Sequence, residues 1–86
     1  MRVTVRLFAR LRDLAGRPAL PCDVPVGASV GDVWRAVVAA HAALEPFGGS
    51  VSCAVNEDFA RMTTAVAEGD EVAFLPPVSG GAPACR

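Results

Sequence analysis

Several residue types are missing or scarce in this 86-residue sequence, and their absence excludes whole classes of protein. All eight basic residues are arginine, tyrosine does not occur, and the formal net charge is −1. A chain without a basic excess, and without aromatic residues interleaved with its arginines, is not built to coat nucleic acid. The longest apolar run, 36–40, is far shorter than the roughly 20 residues of a membrane-spanning helix. We therefore expect neither a nucleic-acid nor a membrane partner.

The three cysteines are far apart in the sequence and odd in number, whereas a small secreted disulfide scaffold usually has an even set. Cys22, Cys53 and Cys85 form no pair with metal-ligand spacing, and one histidine cannot complete a zinc site. Cys22 and Cys53 are expected to be small apolar residues in strands, and Cys85 an unreactive thiol in a tail. Arginines interrupt the first apolar stretch, so no secretory signal is visible. We expect a cytoplasmic protein with no bound metal or cofactor.

The residues that are abundant favour one small folded domain. Hydrophobic residues make up 52% and charged residues 20% of the chain, whereas a disordered chain needs low hydrophobicity and high net charge. Five of the eight arginines lie in the first 17 residues, and six of the nine acidic residues lie between Glu45 and Glu71. We expect these two halves to neutralise each other across the fold.

Alternating hydrophobicity predicts strands in both halves of the chain. The alternating segments are residues 2–9, 51–56 and 71–75. In the first of them, Phe8 shares the side of Arg2 and Arg6. Residues 18–24 contain two prolines, which cannot donate to a neighbouring strand and therefore fit only an edge strand.

Two helices are predicted between the strands. A short one covers 9–16 and ends at Gly16. A long one begins at Ser29, whose hydroxyl can cap the helix together with Asp32. Its apolar stripe comprises Val30, Val33, Trp34, Val37, Val38, His41 and Leu44. Pro46 is expected to end it, and His41 is expected to be structural.

This order of elements predicts an α+β fold, in which one long helix packs across one face of a mixed sheet. The opposite sheet face has no second layer to cover it. Apolar residues on such a face usually mark a binding surface for a partner. No nucleophile with a base, no phosphate-binding loop and no dinucleotide motif occurs. The residues alone thus indicate a small α+β binding module.

The segment GDEVAFLPPVSGG, residues 69–81, carries more information. Pro76 and Pro77 hold the chain extended after the last strand, and residues 76–81 could reach roughly 20 Å from the domain. Val78 and Ser79 connect the prolines to two glycines. Gly80 and Gly81 lack a Cβ and could thread a narrow channel, which would bring a carboxylate into an active site.

At this point the sequence resembles a known family. The stretches RLFARLRDLAG (6–16), AVNED (54–58) and GDEVAFLPPVSGG (69–81) are similar to the small subunit of molybdopterin synthase, MoaD, within the MoaD/ThiS family of sulfur carriers. The resemblance covers residues 1–81 and implies a ubiquitin-like β-grasp domain with an extended Gly-Gly tail. Residues 82–86 then form a C-terminal extension that is disordered or removed.

The resemblance implies that Gly81 carries the reacting group. An activating enzyme would use ATP to adenylate the Gly81 carboxylate, and sulfur would then replace one oxygen to give a thiocarboxylate. Inside the large synthase subunit this group would donate sulfur to cyclic pyranopterin monophosphate. The chain would act as a carried reactant without catalytic side chains of its own. The segment that threads into these partners would be Pro76, Pro77, Val78, Ser79 and Gly80.

The resemblance also sharpens the prediction for the uncovered sheet face. Family members contact the large subunit through apolar residues at positions matching Phe8, Phe59 and Leu75. We expect these three residues to form the apolar centre of the interface. Arg10 and Arg12 are weaker candidates for pairing with an acidic partner surface.

The chain departs from the family by continuing after Gly81. A glycine in a peptide bond has no free carboxylate to adenylate. Three explanations are open: a precursor that a protease cuts after Gly81, a relic of a fusion with the large subunit, and an uncharged module that only binds. We favour the precursor. A sulfur carrier for cysteine, thiamine or another thio-metabolite is a further alternative.

Overall fold

Five strands form one mixed sheet in the order β2-β1-β5-β3-β4. The computed structural model describes residues 1–77. The strands are β1 (Arg2–Leu7), β2 (Ala19–Asp23), β3 (Ser52–Val55), β4 (Asp58–Ala60) and β5 (Glu71–Leu75). β1 runs parallel to β5, and the other neighbouring pairs are antiparallel. The first and last strands along the chain therefore lie side by side near the middle of the sheet, and β2 is at an edge, as its prolines predict.

The long helix α2 (Val30–Ala40) begins with the predicted capping box. The Ser29 hydroxyl accepts a hydrogen bond from the Asp32 amide at 3.3 Å, and the Asp32 carboxylate accepts one from the Ser29 amide at 2.9 Å. Two amides that the helix itself leaves unpaired are satisfied in this way. The backbone bond from Ser29 lowers the pKa of Asp32 below its ordinary value, and the ion pair with Arg35 lowers it further.

The core lies between α2 and one face of the sheet. Trp34 and Phe74 meet edge to face, with ring centroids 4.9 Å apart, which is the geometry that aromatic pairs prefer. The buried side chains around this pair include Val3, Val5, Leu7, Val33, Val37 and Val72. A mixed sheet crossed by one helix is the ubiquitin-like β-grasp arrangement, so the predicted α+β fold is confirmed.

The first predicted strand is two residues too long. β1 ends at Leu7, and Phe8 is the N-cap of a short helix, α1 (Ala9–Ala15). The alternating pattern continues through residue 9 although the chain has already turned, because a cap residue has extended backbone angles like those of a strand. Gly16 ends α1 with a φ of 76°, as its freedom to adopt left-handed angles predicts.

The long helix was also predicted to run too far. α2 ends at Ala40, and a separate 3₁₀ helix (Ala42–Phe47) follows and contains Pro46. Leu44 belongs to this second helix and is fully buried. The apolar periodicity continues past the break because both helices face the same core. Pro46 lies inside the 3₁₀ helix, where it was expected to end α2.

The predicted strand at 51–56 is one residue shorter at each end, and a tight hairpin follows it. Asn56 and Glu57 connect β3 to β4, and Asp58 is already in β4, opposite Val55. A three-residue strand is too short to show alternation in the sequence. β4 adds a second edge to the sheet and places Phe59 beside β3.

Candidate partner-binding face

Within residues 1–77, no helix or strand covers the sheet surface opposite α2. In β1 and β5, burial alternates strictly, so one set of side chains enters the core and the other set points away from it. We call the uncovered surface the open face. The residues of this face that are considered below are Thr4, Arg6, Phe8, Ala54, Phe59, Glu71, Ala73 and Leu75.

The strand registers place four of these residues in one row across the sheet. Arg6 is opposite Ala73, Ala73 is opposite Ala54, and Ala54 is opposite Phe59. The two alanines make the middle of the row shallow. Phe59 stands at the outer end with 77% of its surface exposed. An aromatic side chain this exposed loses its water contact only when another surface covers it.

Phe8 and Leu75 lie at the end of the open face where β1 and β5 stop. The Phe8 amide donates a hydrogen bond to the Phe74 carbonyl at 3.3 Å, which keeps Phe8 beside β5. Phe8 is 38% exposed and Leu75 is half-buried. Both line a depression of about 340 Å³ together with Arg6, Glu57, Glu71 and Ala73. The structure thus places all three residues predicted for the interface on one face, with Phe8 and Leu75 together and Phe59 apart from them.

Arg6 lies among the apolar residues of this face, although it was not among the residues predicted for the interface. Its guanidinium is 5.7 Å from the centre of the Phe8 ring and 3.7 Å from a carboxylate oxygen of Glu71. A cation over an aromatic ring and beside a carboxylate restricts the freedom of both partners. The pair with Glu71 also joins the basic first half of the chain to its acidic second half, as expected. The shared parity of Arg6 and Phe8 is the signal that places both on this face.

The hairpin between β3 and β4 borders the depression. Asn56 and Glu57 have φ angles of 50° and 72°, as a two-residue turn that follows the sheet twist requires. The Asn56 amide group donates to the Asp70 carboxylate and accepts from the Glu71 amide, both at 3.0 Å. Hydrogen bonds from the Ala67 amide and from Asn56 lower the pKa of Asp70. The turn is thereby fixed to the start of β5.

The predicted threading segment begins at the same end of the open face. β5 ends at Leu75, Pro76 is half-buried, and Pro77 is exposed. The end of β5 is next to Phe8 on one side and opposite Ser52 of β3 on the other. Val78, Ser79, Gly80 and Gly81 are outside the described residues, as are 82–86. The described chain therefore leaves the sheet beside the apolar pair of Phe8 and Leu75.

A comparison with known families now identifies this arrangement. The sequence pattern of the ThiS family matches residues 5–81, which is most of the chain. The chain belongs to the ThiS family. The resemblance to the MoaD/ThiS ubiquitin-like sulfur carriers is thereby confirmed, and the match includes all of the open-face residues named above except Thr4, together with the end of β5 and the two glycines.

Individual relatives match nearly the whole of this ThiS-family chain. The small archaeal modifier protein 1 (SAMP1) of Haloferax volcanii is 42% identical in an alignment of 84 positions that covers 88% of this chain and 97% of the relative. The molybdopterin synthase sulfur carrier subunit of Chlamydomonas reinhardtii is 35% identical over 83 residues, covering 94% of this chain and 100% of the relative.

Solved structures of family relatives have the same fold. The crystal structure of SAMP1 from Haloferax volcanii superposes with a TM-score of 0.85 at 37% identity, over 94% of this chain and 100% of the other. A chain in the complex of subunits 1 and 2 of the molybdopterin-converting factor from Helicobacter pylori has a TM-score of 0.65 at 24% identity, over 94% of this chain and 100% of the other. At that identity the second likeness concerns the fold alone.

The other predicted residues of this family member lie away from the open face or beside it. Arg10 and Arg12 are exposed on α1, which follows Phe8 directly. His41 is the half-buried C-cap of α2. Cys22 is buried in β2, and burial raises the pKa of its thiol. Cys53 is buried in β3, as predicted, but its sulfur is in a disulfide, which the sequence did not predict.

Neither a metal centre nor a membrane-spanning helix is found in the part of the chain that the structure describes. No three or more His, Cys, Asp or Glu side chains of residues 1–77 are grouped so as to hold a metal ion. None of the helices in the same range is long and apolar enough to cross a membrane.

Proposed function

We propose that this protein is the sulfur carrier of molybdopterin synthase and that its Gly81 carboxylate is converted to the thiocarboxylate that donates sulfur to cyclic pyranopterin monophosphate. One observation carries the proposal. An apolar face, with Phe8 and Leu75 at its end, adjoins the start of a Pro-Pro to Gly-Gly segment. Relatives named as sulfur carrier subunits of molybdopterin synthase align over nearly the full length of this chain.

The proposed chemistry takes place on the tail. The Gly81 carboxylate attacks the α-phosphorus of ATP in an activating enzyme, pyrophosphate leaves, and an acyl-adenylate forms. A sulfur nucleophile supplied by a partner then displaces AMP and leaves a thiocarboxylate. Activation is needed because a carboxylate is a poor electrophile, whereas AMP is a good leaving group. The domain contributes recognition and reach, and its partners contribute the catalytic groups.

The open face would hold the large synthase subunit while the tail enters its active site. Phe8 and Phe59 expose aromatic surface at either side of a shallow row of alanines, and exposed aromatic residues are typical anchors of interfaces. Because β5 ends beside Phe8, docking through this face would point the tail into the same partner. Pro76 and Pro77 would keep the start of the tail extended.

Ala82 follows Gly81 in the sequence, so the proposed carrier requires that this peptide bond be cut. Cutting would release the carboxylate that the activating enzyme needs. All described elements end by Leu75, so the proposed cut lies outside each of them. A processing protease is therefore a third proposed partner, beside the activating enzyme and the large subunit.

The first test is the intact mass of the untagged protein purified from its own cells. We expect a species that ends at Gly81, a fraction of which has one oxygen exchanged for sulfur. A second arm reconstitutes synthesis with the activating enzyme, ATP, a sulfide source, the large subunit and cyclic pyranopterin monophosphate. A chain made to end at Gly81 should support molybdopterin formation, and its G81V variant should not, because a side chain at the last residue obstructs a narrow channel.

The outcome that contradicts the proposal is equally specific. If the uncut chain supports molybdopterin formation as fast as the shortened chain and stays uncut during the reaction, the role assigned to the Gly81 carboxylate is wrong. Thermal melting of each variant serves as the control, since loss of the fold would also abolish activity.

A second function is favoured by the likeness to small archaeal modifier protein 1, at 42% identity. In a modifier, the same activated Gly81 carboxylate would be attacked by a lysine amine of another protein, which displaces AMP and forms an amide. The two functions differ in their product. Covalent adducts that survive thiol reductants and link Gly81 to a lysine would support the modifier, and a thiocarboxylate without adducts would support the carrier.

A further inference from the structure

The depression on the open face contains an unequal set of charges. Its lining includes two carboxylates, Glu57 and Glu71, and one guanidinium, Arg6. The remaining lining residues are Phe8, Ala73 and Leu75, which are apolar. The depression therefore has one negative charge in excess, beside the apolar surface that the proposed partner would cover.

Arg6 and Glu71 already have partners inside the depression. Arg6 is 3.7 Å from Glu71 and lies over the Phe8 ring. Among residues 1–77, Glu57 forms no ion pair and no side-chain hydrogen bond. When a partner covers the face, Arg6 and Glu71 can remain paired, whereas Glu57 would lose its water without compensation. Burial of an unpaired carboxylate is costly, so a well-matched partner must supply a cation.

The position of Glu57 is well defined. Glu57 follows Asn56 in the two-residue turn, and Asn56 is hydrogen-bonded to Asp70 and to the Glu71 amide. The turn therefore cannot move away from β5 without breaking these bonds. Glu57 has a φ of 72°, which glycine would adopt at lower cost. The backbone of Glu57 is thus held at a fixed place on the edge of the open face.

We propose that Glu57 determines partner specificity on the open face by pairing with an arginine or lysine of the large synthase subunit. The inference rests on the proposed function, because it takes the large subunit to be the partner that covers the open face. The long aliphatic part of an arginine or lysine fits the apolar lining of Leu75 and Ala73, while its charged end reaches the carboxylate. A partner with an acidic or purely apolar surface at this point is rejected, since it would leave Glu57 unpaired.

The test compares charge variants of the full-length chain for binding to the purified large subunit from the same organism. E57Q removes the charge and E57K reverses it. E57G is a second neutral variant that suits the left-handed backbone, so loss of binding in E57G cannot be ascribed to a strained turn. The matched controls are E45Q and E45K, because Glu45 is an exposed acid in the 3₁₀ helix, outside the open face.

We expect E57Q and E57G to bind roughly 5- to 30-fold more weakly, and E57K more than about 50-fold more weakly, as for a charge pair that the interface desolvates. The Glu45 controls should bind within about twofold of the unaltered chain. The deficit of E57K should shrink as salt is raised, because the repulsion is then screened.

Three outcomes separate this inference from the proposed function. If all Glu57 variants bind normally while F8D does not, the interface stands and the role of Glu57 is overturned. If F8D also binds normally, or the unaltered chain does not bind the large subunit, the proposed docking face is itself wrong. If sedimentation shows that the chain pairs with itself and E57K abolishes only that pairing, the occupant is a second copy and the inference is overturned.

Discussion

Single side chains decide how the hairpin beside the open face is held. Asn56 combines a left-handed φ of 50° with two side-chain hydrogen bonds to the segment that begins β5. Asparagine tolerates this conformation better than other residues with a Cβ, and its amide group both donates and accepts. The Asn-Glu turn thus connects β3, β4 and β5 at one point.

The contribution of Asn56 can be divided into conformation and hydrogen bonding. N56A should lower the free energy of unfolding by about 2–3 kcal/mol, because it loses both bonds and places alanine in a left-handed turn. N56G keeps the conformation and should cost only about 1–2 kcal/mol. Urea denaturation measures both. Equal costs for N56A and N56G would show that the backbone angle contributes nothing.

Gly48 matters because of its closeness to the indole of Trp34. A Cβ at this position would lie 3.1 Å from the Trp34 Nε1 atom. G48A should lower the free energy of unfolding by about 1–2 kcal/mol, because the indole must shift and Trp34 is packed against Phe74. G49A is the matched control, since nothing lies within 4 Å of a Cβ there. Equal urea midpoints for the two variants would contradict this account.

The elements of the fold depend on their ends as much as on their apolar faces. α2 is 11 residues long, and isolated helices of this length are marginal in water. The capping box at Ser29 and Asp32 fixes where α2 begins, and the 3₁₀ helix after it completes the cover of the core.

S29A should lower the free energy of unfolding by about 1 kcal/mol, measured by urea denaturation. A value indistinguishable from zero would mean that packing alone sets the start of the helix.

Low pH should weaken the hydrogen bonds that aspartate carboxylates accept at the ends of helices and strands. The pKa values of Asp23, Asp32 and Asp70 are all lowered in the folded chain by hydrogen bonds to their carboxylates. A carboxyl whose pKa is lower in the folded chain than in the unfolded chain stabilises the fold at pH values above the ordinary aspartate pKa of about 3.9. This stabilisation is lost as the pH falls from there through the lowered pKa.

The corresponding measurement is the urea midpoint between pH 7 and pH 2.5. We expect it to be flat at neutral pH and to fall below about pH 4. In D32N, the urea midpoint should fall less steeply with acid, because this variant lacks the carboxylate whose hydrogen bonds are lost on protonation. If the urea midpoint of D32N falls with acid as steeply as that of the unaltered chain, Asp32 does not contribute to the loss of stability at low pH.

At the scale of the whole molecule, the two faces of one sheet differ in burial. Phe74 and Phe8 are adjacent to each other through a backbone hydrogen bond, yet Phe74 is fully buried under α2 and Phe8 is partly exposed on the open face. One aromatic residue therefore belongs to the core, and the other lies on the open face. Substitutions on the two faces should have different consequences.

F8D tests this division. Its free energy of unfolding should change by no more than about 1 kcal/mol, whereas its affinity for the large subunit should fall roughly 30-fold or more, as for an interface anchor. V26D is the matched control, because Val26 is 88% exposed and lies in the loop after β2, away from the open face. Calorimetric titration and urea denaturation measure the two effects. Equal losses of affinity in F8D and V26D would contradict a localised interface.

Periodicity and turn chemistry in the sequence were sufficient for the fold class, the side of β1 that faces the core, the edge position of β2 and the start of α2. These features are local, because alternation, capping and proline placement depend on residues close together in the chain. The boundaries at Phe8, at Ala40 and in the hairpin were predicted less well. A cap residue, a 3₁₀ turn and a three-residue strand leave little periodic signal.

The composition of the open face depends instead on long-range pairing. β1 and β5 are almost seventy residues apart in the chain and lie side by side in the sheet, and this pairing brings Arg6 to Glu71 and Phe8 to Leu75. The β3–β4 hairpin then places Glu57 at the depression and Phe59 on the same surface. The predicted interface residues were inferred from a family resemblance. Such a resemblance identifies positions in the sequence, but it does not show which other residues lie beside them in the fold. Strand register determines those neighbours, and register is fixed only when the core packs against α2.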